Sequence, residues 1–150
     1  MPELKDRLRA DLTTAMKSRD ELRTATLRMV LSAVSAKEVS GKEARELSDD
    51  EVQAVLRREA KKRREAADAF AGAGRAEQAE REKAEEGVLA TYLPAQLDDA
   101  DLSALVADVV TTTGAAGMKD MGKVMGAVQG RVAGRADGGR VAAEVRRQLG

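Results

Sequence analysis

Between Met121 and Gly139 the chain reads MGKVMGAVQGRVAGRADGG, with Gly122, Gly126, Gly130 and Gly134 at every fourth residue of a segment that otherwise patterns as a helix. A helix-interior glycine costs about 1 kcal/mol relative to alanine. A row of four therefore points to a backbone or a ligand approaching the helix closely. At about 100° per residue, Met118, Met121, Val124, Met125, Val128 and Val132 gather on one side as a core seam. Gly122, Gly126 and Gly130 fall away from it, in the sector of Lys119 and Lys123. Such a face exposes main chain and offers charge to phosphate oxygens, the chemistry of nucleic-acid backbone contact. The same row also admits a neighbouring helix, as small-xxx-small patterns do, and the residues alone leave both open.

Two other segments carry charge chemistry. The turn Arg135, Ala136, Asp137, Gly138, Gly139, Arg140 leads into the last helix, with Asp137 placed to cap it. A helix start of this kind can bind an anion or serve as an ordinary interhelix turn. It lacks the G-x-x-x-x-G-K-[ST] phosphate loop and follows no strand, so no nucleotide site is expected. Residues 57–64, RREAKKRR, form a secondary basic patch of Arg57, Arg58, Lys61, Lys62 and Arg64. Glu59 with Arg63, Lys61 with Glu65 and Arg64 with Asp68 stand four apart, the spacing of a solvated, salt-bridged helix face.

Catalytic chemistry finds little to use. The chain has no His and no Cys, which removes imidazole bases, thiol nucleophiles and most zinc sites. The acidic run Glu77, Glu80, Glu82, Glu85, Glu86 is interleaved with Arg81 and Lys83 and reads as a solvent-facing stretch. No di-iron E-x-x-H arrangement, S-x-x-K or G-x-S-x-G motif is present. No catalytic residue, metal site or cofactor is expected.

Helices must position these segments. Leu4, Leu8, Leu12 and Met16 repeat at helical spacing, and Leu22, Ala25, Met29, Val30, Ala33 and Val34 repeat it after Asp20. Ser48 with Glu51 forms a capping box, and Leu47 with Val52 a hydrophobic staple, at the start of a long charged helix running to about Phe70. After Gly72 and Gly74 a Glu-rich helix is predicted from Ala76 to Tyr92, stopped by Pro94. Asp98 and Asp101, with Leu97 and Leu102, repeat the start signal for a helix ending at Gly114. Met118 to about Ala133 and Gly139 to Leu149 complete the chain, the latter with Val141, Val145 and Leu149 four apart. Val109 to Thr113 leans toward strand composition but is taken as a helix end.

The 26 basic and 26 acidic residues cancel, which excludes a uniformly cationic nucleic-acid binder but not a local patch. From Gly117 onward Lys119, Lys123, Arg131, Arg135, Arg140, Arg146 and Arg147 face only Asp120, Asp137 and Glu144. Phe70 and Tyr92 are the only aromatics, so the core must be aliphatic and the helices close. No apolar run reaches the roughly 18 residues of a membrane span, and neither secretion nor a membrane role is expected; a cytoplasmic protein is.

Leu27-Arg28 with Leu31 and Ala33, Glu59, Lys62 and Arg63, Gly74-Arg75, Glu82 with Glu85, Tyr92-Leu93-Pro94, Met121-Gly122-Lys123-Val124-Met125 and Gly134-Arg135-Ala136-Asp137-Gly138 together resemble the YqeY-like family. That family is similar to the tail domain of the GatB subunit of glutamine-dependent tRNA amidotransferase. The resemblance spans essentially the whole chain. It implies an all-α fold with a four-helix N-terminal unit (1–95) and a three-helix, tail-like C-terminal unit (96–150), without a transamidation centre. It also implies tRNA or another structured RNA as partner, and no DNA. The implied RNA-facing residues are Lys119, Gly122, Lys123 and Gly126 on the helix and Gly134, Arg135, Asp137 and Gly138 in the turn, with Arg131 and Arg140 completing the basic set. Two alternatives stand beside RNA binding. One is a helical adaptor for amidotransferase or aminoacyl-tRNA synthetase subunits. The other is an accessory to carbon–nitrogen ligase chemistry with glutamine as amide-nitrogen donor.

Overall fold

Asp20, Ser48, Asp98 and Asp137 combine extended backbone with a short oxygen-bearing side chain, the combination that starts a helix by accepting a first-turn amide. Asp20 accepts from Arg23 (3.1 Å), Ser48 from Glu51 (3.3 Å), Asp98 from Asp101 (2.7 Å) and Asp137 from Gly139 (3.4 Å). The computed structural model describes residues 3–150, and among them all regular structure is helical. The elements are α1 (Glu3–Lys17), α2 (Glu21–Glu38), α3 (Asp49–Gly72), α4 (Ala76–Ala90), α5 (Asp99–Thr113), α6 (Met121–Val132) and α7 (Gly138–Leu149). A single 3-10 turn, Met118–Asp120, precedes α6. The chain divides after Leu93 into two compact units with separate cores.

In the first unit, Leu8, Leu27, Val30, Val34, Leu47, Val52, Leu56 and Leu89 are buried in one cluster. Each such side chain contributes about 1.5–3 kcal/mol. Leu47 and Val52 are both in it, so the staple at the start of α3 is also core. Two expected core positions are not. Met16 is 49% exposed and Ala15 is buried in its place, because a strict four-residue repeat drifts about 40° per step around a helix. By Met16 the row has left the face that Leu8 buries. Ala25 is likewise exposed, with Thr26 and Leu27 turned inward. The Lys5 ammonium, beside the core, meets Glu38 at 2.8 Å, and Glu38 also accepts from the Leu47 amide (3.1 Å). That carboxylate ties α1 to the segment entering α3.

Helix ends explain the remaining differences. α3 runs to Gly72 and closes in a Schellman motif, with Gly74 at φ +74° and the Arg75 amide on the Phe70 carbonyl (2.8 Å). α4 stops at Ala90, before the expected Tyr92. The Tyr92 and Leu93 amides bond three residues back, to Leu89 (3.0 Å) and Ala90 (3.2 Å), a tightening forced ahead of Pro94.

The second unit packs Leu102, Val106 and Val109 of α5, Val124, Val128 and Val132 of α6, and Val141 and Val145 of α7 around one core. The four-residue spacing places Gly134 in the same helix as the other glycines, but the structure does not. α6 ends at Val132, followed by Ala133 at φ +50° and Gly134 at φ +80°. Met118 also lies outside the seam, 48% exposed, because the tighter 3-10 turn breaks the 100° register there.

Two hydrogen-bonded carboxylates make stability sensitive to acid. Glu51, bonded first by Arg45 and then by the Ser48 amide, has its pKa lowered from 4.5 to about 2. Glu144, held by Arg147 and Gln148, is lowered likewise to about 2. Ionisation of both therefore favours the fold fully above pH 4.5, and that gain disappears as pH falls through 2. Urea denaturation across this window should show declining stability, flattened in the double variant Glu51→Gln/Glu144→Gln. Ser48→Ala should lower stability at neutral pH by about 1 kcal/mol.

Candidate functional site

Val124, Val128 and Val132 stand four apart on α6 and are fully buried. Gly122, Gly126 and Gly130 each lie two residues before one of them, about 200° around the helix, and are exposed. A Cβ added at any of the three would meet nothing within 4 Å. Among the described residues, then, no neighbouring helix uses the glycines for close approach. The row is an open strip of main chain beside two exposed lysines, Lys119 and Lys123.

The cations around this strip differ in what already holds them. Lys123 Nζ donates to the Thr113 carbonyl at the end of α5 (3.2 Å). Arg131 pairs with Asp108. Arg135 donates to the Val132 carbonyl (3.1 Å) and the Arg131 carbonyl (3.0 Å), closing the C-terminus of α6. Arg140 donates to the Leu97 carbonyl and to Asp99, both at 3.0 Å. The Leu97 amide meets the Arg135 carbonyl (2.7 Å), so the entry to α5 and the turn before α7 are stitched together. Asp137 caps α7 and Gly138 begins it. Asp120 accepts from the Ala116 amide (2.8 Å). That bond and nearby Lys119 hold its carboxyl below the usual range.

The expected residues thus differ in what holds their side chains. Lys119, Gly122, Lys123 and Gly126 share an accessible stretch around the start of α6. Arg135, Asp137 and Arg140 maintain the turn, with side chains committed to backbone carbonyls, a helix amide or Asp99. What the exposed stretch offers chemically is two ammonium groups and unshielded main chain, suited to holding an anionic surface.

A family model described as Yqey-like protein matches residues 5–149. The chain belongs to the YqeY-like family. No curated protein gives a significant match to it.

The second basic patch of this YqeY-like chain is more deeply wired than its sequence suggests. Arg63, only 13% exposed in its side chain, faces Glu85 (3.2 Å), Glu59 (3.3 Å) and Glu82 (3.7 Å) and lies against the Met29 sulfur. Arg64 reaches Glu86 on α4 (3.3 Å), where four-residue spacing points to Asp68. Lys62 meets Glu59 (3.4 Å) and Lys61 meets Glu65 (4.0 Å). Arg58, Lys61 and Lys62 are exposed, and Arg57 partly so.

The acidic run is accordingly not a solvent-facing stretch throughout. Glu82, Glu85 and Glu86 turn toward α3 because they share a face with Ala79, Val88 and Leu89, which are buried. The signal is present in the sequence: Ala79, Glu82, Glu86 and Leu89 step by three and four. Among the described residues no group of His, Cys, Asp or Glu is placed to hold a metal ion, and no helix is long and apolar enough to cross a membrane.

The open strip makes a direct prediction. Gly122→Ala, Gly126→Ala and Gly130→Ala should each raise stability by about 0.5–1 kcal/mol, since the helix gains and nothing clashes. Gly134→Ala should lower it, because φ +80° disfavours a side chain. Thermal denaturation of the four variants checks both signs.

Proposed function

We propose that this chain is a non-catalytic cytoplasmic module that binds structured RNA, tRNA foremost, through its phosphate backbone. In this proposal a four-helix unit is joined to a three-helix unit that works like the tail of the amidotransferase GatB subunit. The observation that carries it is the uncovered glycine strip of α6 beside Lys119 and Lys123. Glycines that are neither packed nor at positive φ weaken the helix without serving the fold. A bulky ligand approaching the main chain accounts for them.

The binding mode follows from the remaining side chains. Tyr92 is buried, its hydroxyl bonded to Asp11 and its ring covered by the Arg7 guanidinium at 4.8 Å. Phe70 is then the only aromatic left with some exposure, too little for a platform of stacked bases. Recognition by backbone and shape suits a folded RNA better than a single strand.

The test is a titration of labelled tRNA over a salt series. Wild type should bind at low salt, with log affinity falling linearly against log salt. Lys119→Glu/Lys123→Glu should weaken binding at every salt concentration and reduce the slope by about 2, one for each phosphate that a lysine no longer neutralises. Circular dichroism would verify that the variant is folded, since Lys123 also touches α5. Absence of binding by wild type at low salt, or equal binding by the folded variant, would refute the proposal.

A further inference from the structure

α1 ends in the same Schellman motif as α3. The Asp20 amide donates to the Ala15 carbonyl (2.9 Å) and the Arg19 amide to the Met16 carbonyl (3.3 Å). In α3 the left-handed position belongs to Gly74; in α1 it belongs to Arg19, at φ +59°. A side chain there carries a steric penalty that glycine avoids. Ala133 is the other non-glycine residue at positive φ among the described residues, but it brings only a methyl group. Arg19 brings a guanidinium.

Arg19 lines a groove of about 470 Å³ between the end of α1 and the first turns of α2, together with Met16, Glu21, Thr24, Ala25 and Arg28. Its apolar lining is Met16 and Ala25, both exposed. Arg28 lies 3.7 Å from the Met16 sulfur. Arg19 and Arg28 oppose the single carboxylate of Glu21. Methionine is the side chain best able to repack around a guest, and guanidinium groups pair with carboxylates in a fixed fork. The lining has no aromatic face for a nucleobase, and its two arginines against one carboxylate disfavour a basic partner.

We propose that this groove docks an acidic peptide segment of a partner protein, with an apolar side chain on Met16 and Ala25 and flanking carboxylates on Arg19 and Arg28. The arginine at a glycine-preferring position then serves the groove that the exposed Met16 also lines. The site lies on α1 and α2 and does not depend on the RNA-binding proposal.

The full chain, with its methionines methyl-labelled, would be titrated with two synthetic peptides. One carries a leucine flanked by glutamates, and the control has lysines in place of the glutamates. The Met16 methyl resonance should move with the acidic peptide alone, and less at high salt. Arg28→Glu should abolish the shift. Arg19→Gly should weaken binding about tenfold, the loss of one charge-assisted pair, while raising the melting temperature by a few degrees; a purely structural Arg19 would not separate the two effects. A Met16 resonance unmoved by the acidic peptide, equal shifts with both peptides, or unweakened binding by Arg19→Gly would overturn the proposal. So would a Met16 shift produced by tRNA and not by the peptide, which would assign the groove to RNA.

Discussion

Everything in this chain follows from building two cores without aromatic bulk. With Phe70 and Tyr92 its only aromatics, the interior is filled by leucine, valine and alanine, and short side chains reach packing density only if helix axes come close. The second unit shows the constraint most plainly: α6 contributes Val124, Val128 and Val132, all fully buried, and α7 contributes Val141 and Val145. A helix committed to one narrow apolar stripe leaves the opposite face free to be anything. In α6 that face carries Gly122, Gly126 and Gly130, which leave its main chain unshielded.

The same shortage of apolar bulk shapes the use of charge. Equal numbers of acids and bases are not spread evenly, and part of the total is placed inside the α3–α4 pair. There Arg63 sits among Glu59, Glu82 and Glu85. Ion pairs so far from water contribute little net stability, because desolvation offsets attraction. They do enforce register, since a shift of α4 along α3 would strand an unpaired buried charge. In the second unit Arg135 and Arg140 act similarly on carbonyls. Several arginines of the basic set therefore also hydrogen-bond within the fold.

Local signals are the most legible. The Ser48–Glu51 capping box, the Leu47–Val52 staple and the Asp20, Asp98 and Asp137 starts involve residues within five positions of one another, and their physics is complete in a single turn. Periodicity places the valines of α6 and α7 but misjudges Met16 and Met118 at the ends of their rows, where angular drift or a 3-10 turn rotates the side chain outward. The acidic run of α4 misleads when charge is weighed before period: Glu82 and Glu86 step with Ala79 and Leu89 and so face α3. The α6 glycine face is legible as a direction on the wheel, but that it is uncovered is not.

By itself the sequence determined the all-helical class, most helix starts, the aliphatic nature of the core and the lack of imidazole and thiol chemistry, since each depends on composition or on neighbours within a turn or two. Only the tertiary structure decided which charges are accessible and which are held. Lys119 and Lys123 are exposed, Lys123 while also donating to the Thr113 carbonyl, Arg63 is enclosed by three carboxylates, and Arg135 and Arg140 are half-buried and bound to carbonyls. The reason is physical: a side chain's hydrogen bonds and burial depend on residues far away in the chain, such as Leu97 beside Arg140 or Glu85 beside Arg63, and no local pattern encodes that meeting.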